Sequence, residues 1–177
     1  MGMNHAGEMS DLSKLAKPQI AIINNVVGAH LAHFENVEGI ADAKAEMIDG
    51  MDVGSVLILN GDNEHTSRIC QKADAAKLRV LTFGHSEEDD VFISASEANA
   101  EGGKLTCRIG FHDIDVTLNI PGEHWFMNAA ACLAVAHAAE LNLEKAGRAL
   151  ANIVPAPGRG DTHLLSFDGK FVTLIDE

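Results

Sequence analysis

The sequence predicts an α/β fold: a Rossmann-like, mostly parallel sheet flanked by helices, with a small antiparallel β addition. Three observations carry this expectation. Within the expected strands Gln19 to Val26 and Ser55 to Asn60, the runs Ile20-Ala21-Ile22-Ile23 and Val56-Leu57-Ile58-Leu59 are apolar without alternation, as expected of strands covered on both faces. Helix-period stretches separate these runs from a third, Arg79 to Phe83, and strand, helix, strand, helix, strand implies right-handed parallel crossovers. Beyond Val91 the pattern changes to short strands, one of which, Ile114 to Ile120, alternates and so has one wet face.

In order, a polar turn at Asn4 and His5 leads into a helix from about Ser10, with Ser10 or Asp11 as N-cap. After the first strand comes a loop holding His30 and then a helix from Val37 to Met51. Its stripe of Val37, Ile40, Met47, Ile48 and Met51 also holds Lys44, whose stem must run along apolar surface. The second strand ends in Gly61-Asp62-Asn63, ordinary turn chemistry. A helix from Glu64 to Lys77 and the third strand follow. Val91 to Ala95, Lys104 to Phe111 and Ile114 to Ile120 are the short strands, the last two joined by a turn at His112-Asp113. An alanine-rich helix opens at Pro121-Gly122 and runs to about Leu141, and another spans Leu143 to Asn152. The Pro155-to-Gly160 stretch demands a loop. Two final strands, His163 to Phe167 and Phe171 to Ile175, turn around Asp168-Gly169.

Composition narrows the function classes. A chain of 177 residues with 46% hydrophobic content can bury one real core, which excludes a disordered segment. The net charge of -13 argues against nucleic acid or an anionic membrane as partner, because either needs a basic face. No apolar run approaches a membrane span and no secretory leader is evident. Cys70, Cys107 and Cys132 have no metal spacing, and buried reduced thiols in a cytoplasmic protein are the expectation.

The edge formed by the carboxyl ends of parallel strands is where ligands bind in open α/β sheets. His30 follows such an end, and Lys44 lies on the next helix. Desolvation lowers a lysine's pKa and leaves more neutral amine, which can act as a nucleophile or accept carbon dioxide. Taken singly, both residues have bland readings: a snorkelling helix lysine and a loop histidine satisfied by backbone.

The grouping Asn25-Val26, Ala29-His30-Leu31, Phe34, Ile40-Ala41, Ala43-Lys44 and Glu46 resembles the Mur ligases, the ATP-dependent amide-forming enzymes of peptidoglycan assembly. Within them it looks most like the MurF type, which adds D-alanyl-D-alanine to a UDP-linked muramoyl tripeptide. Met1-Gly2-Met3-Asn4-His5-Ala6-Gly7-Glu8 is similar to a segment of that type, with Ala6 in place of proline. Asn60 to Asn63 resembles the family's Asn-x-Asp-Asp/Asn turn. Gly122 to Asn128 resembles Gly-x-His-Asn-x-x-Asn, with Trp125 in place of the first asparagine.

The resemblance implies that His30 helps bind magnesium and that Lys44 is carbamylated and offers the metal an oxygen. An anionic carbamate suits a hard, oxygen-seeking cation where an ammonium would repel it. It further implies that Asn128, Arg159 and Asp176 face the nucleotide, the guanidinium matching phosphate geometry. Trp125 leaves one nucleotide contact in doubt, although an indole can stack on adenine. Asn4 and His5 keep two readings, capping turn or active-site loop, and neither is assigned to the metal.

No Gly-x-x-x-x-Gly-Lys-Ser/Thr loop occurs in the 177 residues. The expectation is therefore a partial, truncated central (ATP-binding) domain spanning residues 1–177. It would lack the phosphate loop, the N-terminal UDP-binding domain and the C-terminal domain, and would be inactive by itself. The partners implied for the full-length parent are ATP with Mg2+ and the UDP-MurNAc-peptide. Two alternatives stand beside this reading. One is a noncatalytic binding or assembly module, including a homodimer that buries a bare sheet edge; the other is a different ligase of Mur or folylpolyglutamate synthase type.

Overall fold

A computed structural model describes residues 2–28, 34–154, 161–167 and 170–176, with the side chains of 161–164 and 173–176 outside the description. A six-stranded sheet forms the centre. Its strands, β1 (Ile20–Ile23), β2 (Val56–Asn60), β3 (Arg79–Gly84), β4 (Val91–Asn99), β5 (Gly102–Ile109) and β6 (His112–Leu118), lie side by side in chain order. The pairings β1–β2 and β2–β3 are parallel, and β4–β5 and β5–β6 are antiparallel. The two halves meet through a short parallel junction, Phe83 opposite Val91 and Gly84 opposite Phe92. The antiparallel addition thus continues the parallel sheet instead of sitting apart from it.

Every residue of β2 is buried because the sheet is covered on both sides. On one face Leu57 and Leu59, with Ala21 and Ile23, pack against α1 (Glu8–Ala16), α2 (Val37–Ala45) and α3 (Thr66–Ala75). On the other face Val56, Ile58, Leu81 and Phe83 pack against α4 (His124–Ala138), and α5 (Leu143–Leu150) closes the end over the antiparallel strands. The alanines of α4 suit this position. Ala129, Ala130, Ala131, Ala134 and Ala136 are all buried, so the helix lies close to the sheet. A second, two-stranded antiparallel sheet pairs β7 (Asp161–Phe167) with β8 (Lys170–Asp176). No helix among the described residues is long and apolar enough to cross a membrane.

Four local expectations need correction. The helix predicted from Val37 to Met51 is helical only to Ala45 and then tightens into a 3₁₀ turn, Glu46–Gly50. That turn brings Gly50 against α1, so closely that a Cβ there would stand 2.1 Å from the Ser13 carbonyl carbon. The first helix starts at Glu8 with Gly7 as N-cap, not at Ser10 or Asp11. Ser10 is buried, and the Glu8 carboxylate reaches back to the backbone N–H groups of Asn4 (2.7 Å) and His5 (3.1 Å), which ties the preceding turn to the helix start. The β5–β6 turn falls at Gly110-Phe111, where Gly110 has φ 60°, and not at His112-Asp113. Of the thiols, Cys107 is buried and Cys70 half-buried, but Cys132 is exposed; all three are free. Burial pushes the Cys107 thiol up to about 12.

A fork of hydrogen bonds ties α2 to α3. Both oxygens of Asp42 accept from Arg68, Nε and Nη2 at 2.8 Å each, and Oδ1 accepts also from Lys72 Nζ at 2.8 Å. The Arg68 guanidinium, with Lys72 adding to it, holds the Asp42 carboxyl well below its ordinary range. A depressed carboxyl contributes stability that is complete above its unfolded value of 3.8 and is lost as pH falls from there toward the folded value. The cluster is more than one-third exposed, so solvent screening keeps the contribution small. Asp42→Asn is expected to lower stability by roughly 0.5–1 kcal/mol at pH 7. That deficit shrinks as urea unfolding is repeated at pH values below about 4. A deficit that stays constant down to pH 2 would show that the ion pairs contribute nothing.

Candidate active site

The carboxyl ends of β1 and β2 face the same edge of the sheet, because parallel strands in register end together. Two consecutive asparagines leave β1 there and reach opposite faces. Asn24 Nδ2 donates to Asn128 Oδ1 on α4 at 2.9 Å. The backbone carbonyl of Asn25 accepts from Lys44 Nζ on α2 at 2.8 Å.

Lys44 sits in the last turn of α2, flanked by the buried Ala43 and Ala45. It is half-buried, and desolvation lowers its pKa from the ordinary lysine value. Glu46 follows and binds the N-terminal segment, both carboxylate oxygens accepting from the Gly7 N–H at 2.8 Å. The opening segment is therefore held next to the lysine helix.

Asn63, in the turn after β2, completes the arrangement. Its Nδ2 donates to Asn25 Oδ1 at 2.7 Å and to the Val26 carbonyl at 2.9 Å. Its Oδ1 accepts from the His65 N–H at 3.1 Å, at the start of α3. Sequence reasoning gave this turn two readings, a family motif and ordinary turn chemistry, and assigned Asn63 no partner. No local signal in Gly61-Asp62-Asn63 reports that its side chain spans to a strand 38 residues away. His65, unremarked in the sequence, is buried; among the described residues its Nε2 makes no hydrogen bond and lies 3.5 Å from Glu64 Oε1. On the outer side of the turn Asp62 accepts from both the N–H (2.9 Å) and Nδ1 (2.7 Å) of His85.

Asn128 is half-buried and borders a groove of about 440 Å3 beside β1, with Ile22, Asn24, Ala131, Cys132 and Val135. Trp125 is half-buried against the core and its ring lies 5.3 Å from that of His124, tilted by 39°. Lys44 and Asn128 are thus brought to one edge through Asn25 and Asn24. His30 and Arg159 lie outside the described residues. Asp176 ends β8 opposite Asp161, and its side chain lies outside the description. Among the described residues no cluster of three or more His, Cys, Asp or Glu is placed to hold a metal ion.

An open α/β sheet with an asparagine-bridged lysine at its carboxyl edge defines the class, and comparison with known proteins gives the family. The Mur ligase middle domain matches residues 1–136, and the chain belongs to the Mur ligase family. Among its relatives is the UDP-N-acetylmuramoyl-tripeptide--D-alanyl-D-alanine ligase of Escherichia coli, 32% identical over 162 residues, which are 90% of this chain and 35% of that protein. The enzyme of the same name from Bacillus subtilis is 35% identical over 136 residues, 76% of this chain and 28% of that protein. The crystal structure of MurF from Acinetobacter baumannii superposes with a TM-score of 0.88 at 28% identity, covering 99% of this chain and 37% of that one. The chain therefore spans about a third of the length of the relatives it matches.

Proposed function

We propose that the chain is part of the nucleotide-binding middle of an ATP-dependent ligase that joins D-alanyl-D-alanine to UDP-N-acetylmuramoyl-tripeptide. The observation that supports it best is the pair Asn24 and Asn25, which ties the candidate nucleotide residue Asn128 and the candidate metal residue Lys44 to one strand end. In this reading ATP phosphorylates the tripeptide carboxylate, and the dipeptide amine attacks the acyl phosphate, forming the amide and releasing phosphate. Asn128, Arg159 and Asp176 would face the nucleotide.

Lys44 fits the role of a modified lysine. Its amine is desolvated and fixed by a carbonyl, and among the described residues no carboxylate pairs with it to hold the proton. The neutral nitrogen attacks carbon dioxide; a C–N bond forms, one C=O electron pair moves to oxygen, and the nitrogen releases a proton to water. His30 and the resulting carbamate would hold Mg2+, which supplies charge neutralisation at the transferring phosphoryl group when bound.

The 177 residues contain no phosphate loop and are expected not to catalyse the reaction by themselves. Calorimetric titration of ATP with Mg2+ tests the reading, using the chain and a version extended upstream through a phosphate-loop segment. Binding by the extended version alone is the expected result, lost in its Lys44→Met variant. Absence of binding by both overturns it. The edge of β1, which pairs only with β2 among the described strands, supports the assembly reading as a second possibility. A sedimentation mass equal to one chain at every concentration would count against the dimer.

A further inference from the structure

The residues that would touch metal and nucleotide do not explain why Lys44 stays where it is. Among the described residues its amine makes one hydrogen bond, to the Asn25 carbonyl, and Asn25 is itself an exposed residue in the segment after β1, outside any strand ladder. A lysine stem is rich in rotamers, so a mobile carbonyl would not hold it. Something must fix Asn25.

The bond pattern around Asn63 does so, using both Nδ2 protons and the Oδ1 of its side chain. The Val26 N–H donates to Asn25 Oδ1 at 3.0 Å, which sets the orientation of the Asn25 amide and leaves that oxygen facing the β2 turn. The group opposite must then donate, and Asn63 Nδ2 does, at 2.7 Å. The second proton of Nδ2 goes to the Val26 carbonyl, and Oδ1 takes the His65 N–H. Turning the Asn63 amide over would set its oxygen against two acceptors and its NH2 against a donor, so one orientation satisfies all three partners. The turn is anchored in its own right, with the Asn63 N–H donating to the Asn60 carbonyl and the Thr66 N–H to the Asn63 carbonyl. Asn63 therefore connects a rigid turn, at the start of α3, to the strand end that carries the lysine's acceptor.

We infer that Asn63 is the positioning residue of the site: by clamping Asn25 and Val26 it places the Asn25 carbonyl, and through it the amine of Lys44, at the carboxyl edge. The inference rests on the reading of Lys44 as a functional amine, but it concerns only where that amine is held. It can be measured without metal or nucleotide.

The test is solution NMR of the full chain with 13C-labelled lysine, together with amide hydrogen exchange. In the native chain the two Hε protons of Lys44 are expected to be inequivalent because the amine is anchored. In Asn63→Ala they are expected to merge into one averaged signal, and the Val26 amide to exchange about tenfold faster. The Ile69 and Ala73 amides of α3 should change less than twofold. Asn25→Ala removes the same contact from its other side and should give the same collapse, with the double variant no worse than either single one. Asp62→Ala breaks the bonds to His85 in the same turn and should leave Lys44 untouched, which a general loosening of the turn would not do. Unchanged Lys44 signals in a folded Asn63→Ala chain, or in Asn25→Ala should the first variant fail to fold, would overturn the inference. Failure of the calorimetric test above, with collapse of the Lys44 signals here, would leave Asn63 as the anchor and remove only the ligase reading.

Discussion

Phe83→Ala is expected to lower the unfolding free energy by about 3–5 kcal/mol, the usual range when a buried aromatic is truncated. Phe83 is 0% exposed and is among the largest side chains fully enclosed in the described core. It lies on β3 between Asn60 of β2 and Val91 of β4, at the short parallel junction that joins the parallel strands to the antiparallel ones, and it faces the cluster under α4. The cavity left behind has walls from both halves of the sheet, so neither half can close it without disturbing the other. A drop in urea midpoint with unchanged slope is the measurement. A loss below 1 kcal/mol would show that the junction collapses freely.

Gly50→Ala should cost about 3 kcal/mol for the opposite reason, excess volume. The added Cβ would sit 2.1 Å from Ser13 C, 2.2 Å from Ser13 O and 2.5 Å from Lys14 N. All three are backbone atoms of α1, which cannot swing aside as a flexible side chain would. The helix must move away from the 3₁₀ turn, and the buried hydrogen bond from Ser13 Oγ to the Met47 carbonyl goes with it. Urea unfolding reads the loss, and amide exchange should show α1 opening before the sheet. A change under 0.5 kcal/mol would mean that α1 is less firmly seated than its contacts with Gly50 require.

How much of this was legible in the sequence follows from the kind of signal each feature leaves. The strands Ile20–Ile23 and Val56–Asn60 were readable because burial on both faces writes itself into consecutive side chains. The alternation of β6 was readable for the complementary reason, its even positions Ile114, Val116 and Leu118 buried and its odd ones exposed. Lys44 stood out as a charge on an apolar stripe, and the structure has it half-buried with its amine on the Asn25 carbonyl. The end of α2 was not readable, because the tightening at Glu46 is set by how closely α1 approaches Gly50, a contact made across 37 residues. Residues 96–99 of β4 were missed for a similar cause. Ser96, Glu97, Ala98 and Asn99 are exposed and have no strand pattern of their own, and their pairing with Gly102 to Leu105 is imposed by the neighbour. Asn63 belongs to the same class: its importance lies in its partners, and a turn's sequence does not name them.

The order of the sheet has a consequence for how the chain reaches its fold. Each strand lies beside the one made just before it, from β1 through to β6, so no pairing must wait for a distant segment. The entropy of closing each connection grows only slowly with its length, and here every closure is local. Parallel sheets are ordinarily slow to assemble because their pairings are remote in sequence. This one can add strands in the order of synthesis, and the β4–β6 meander can form on its own and dock through the short edge at Phe83 and Gly84. On such a route α4, which packs across strands from both halves, is the element that joins them in one core.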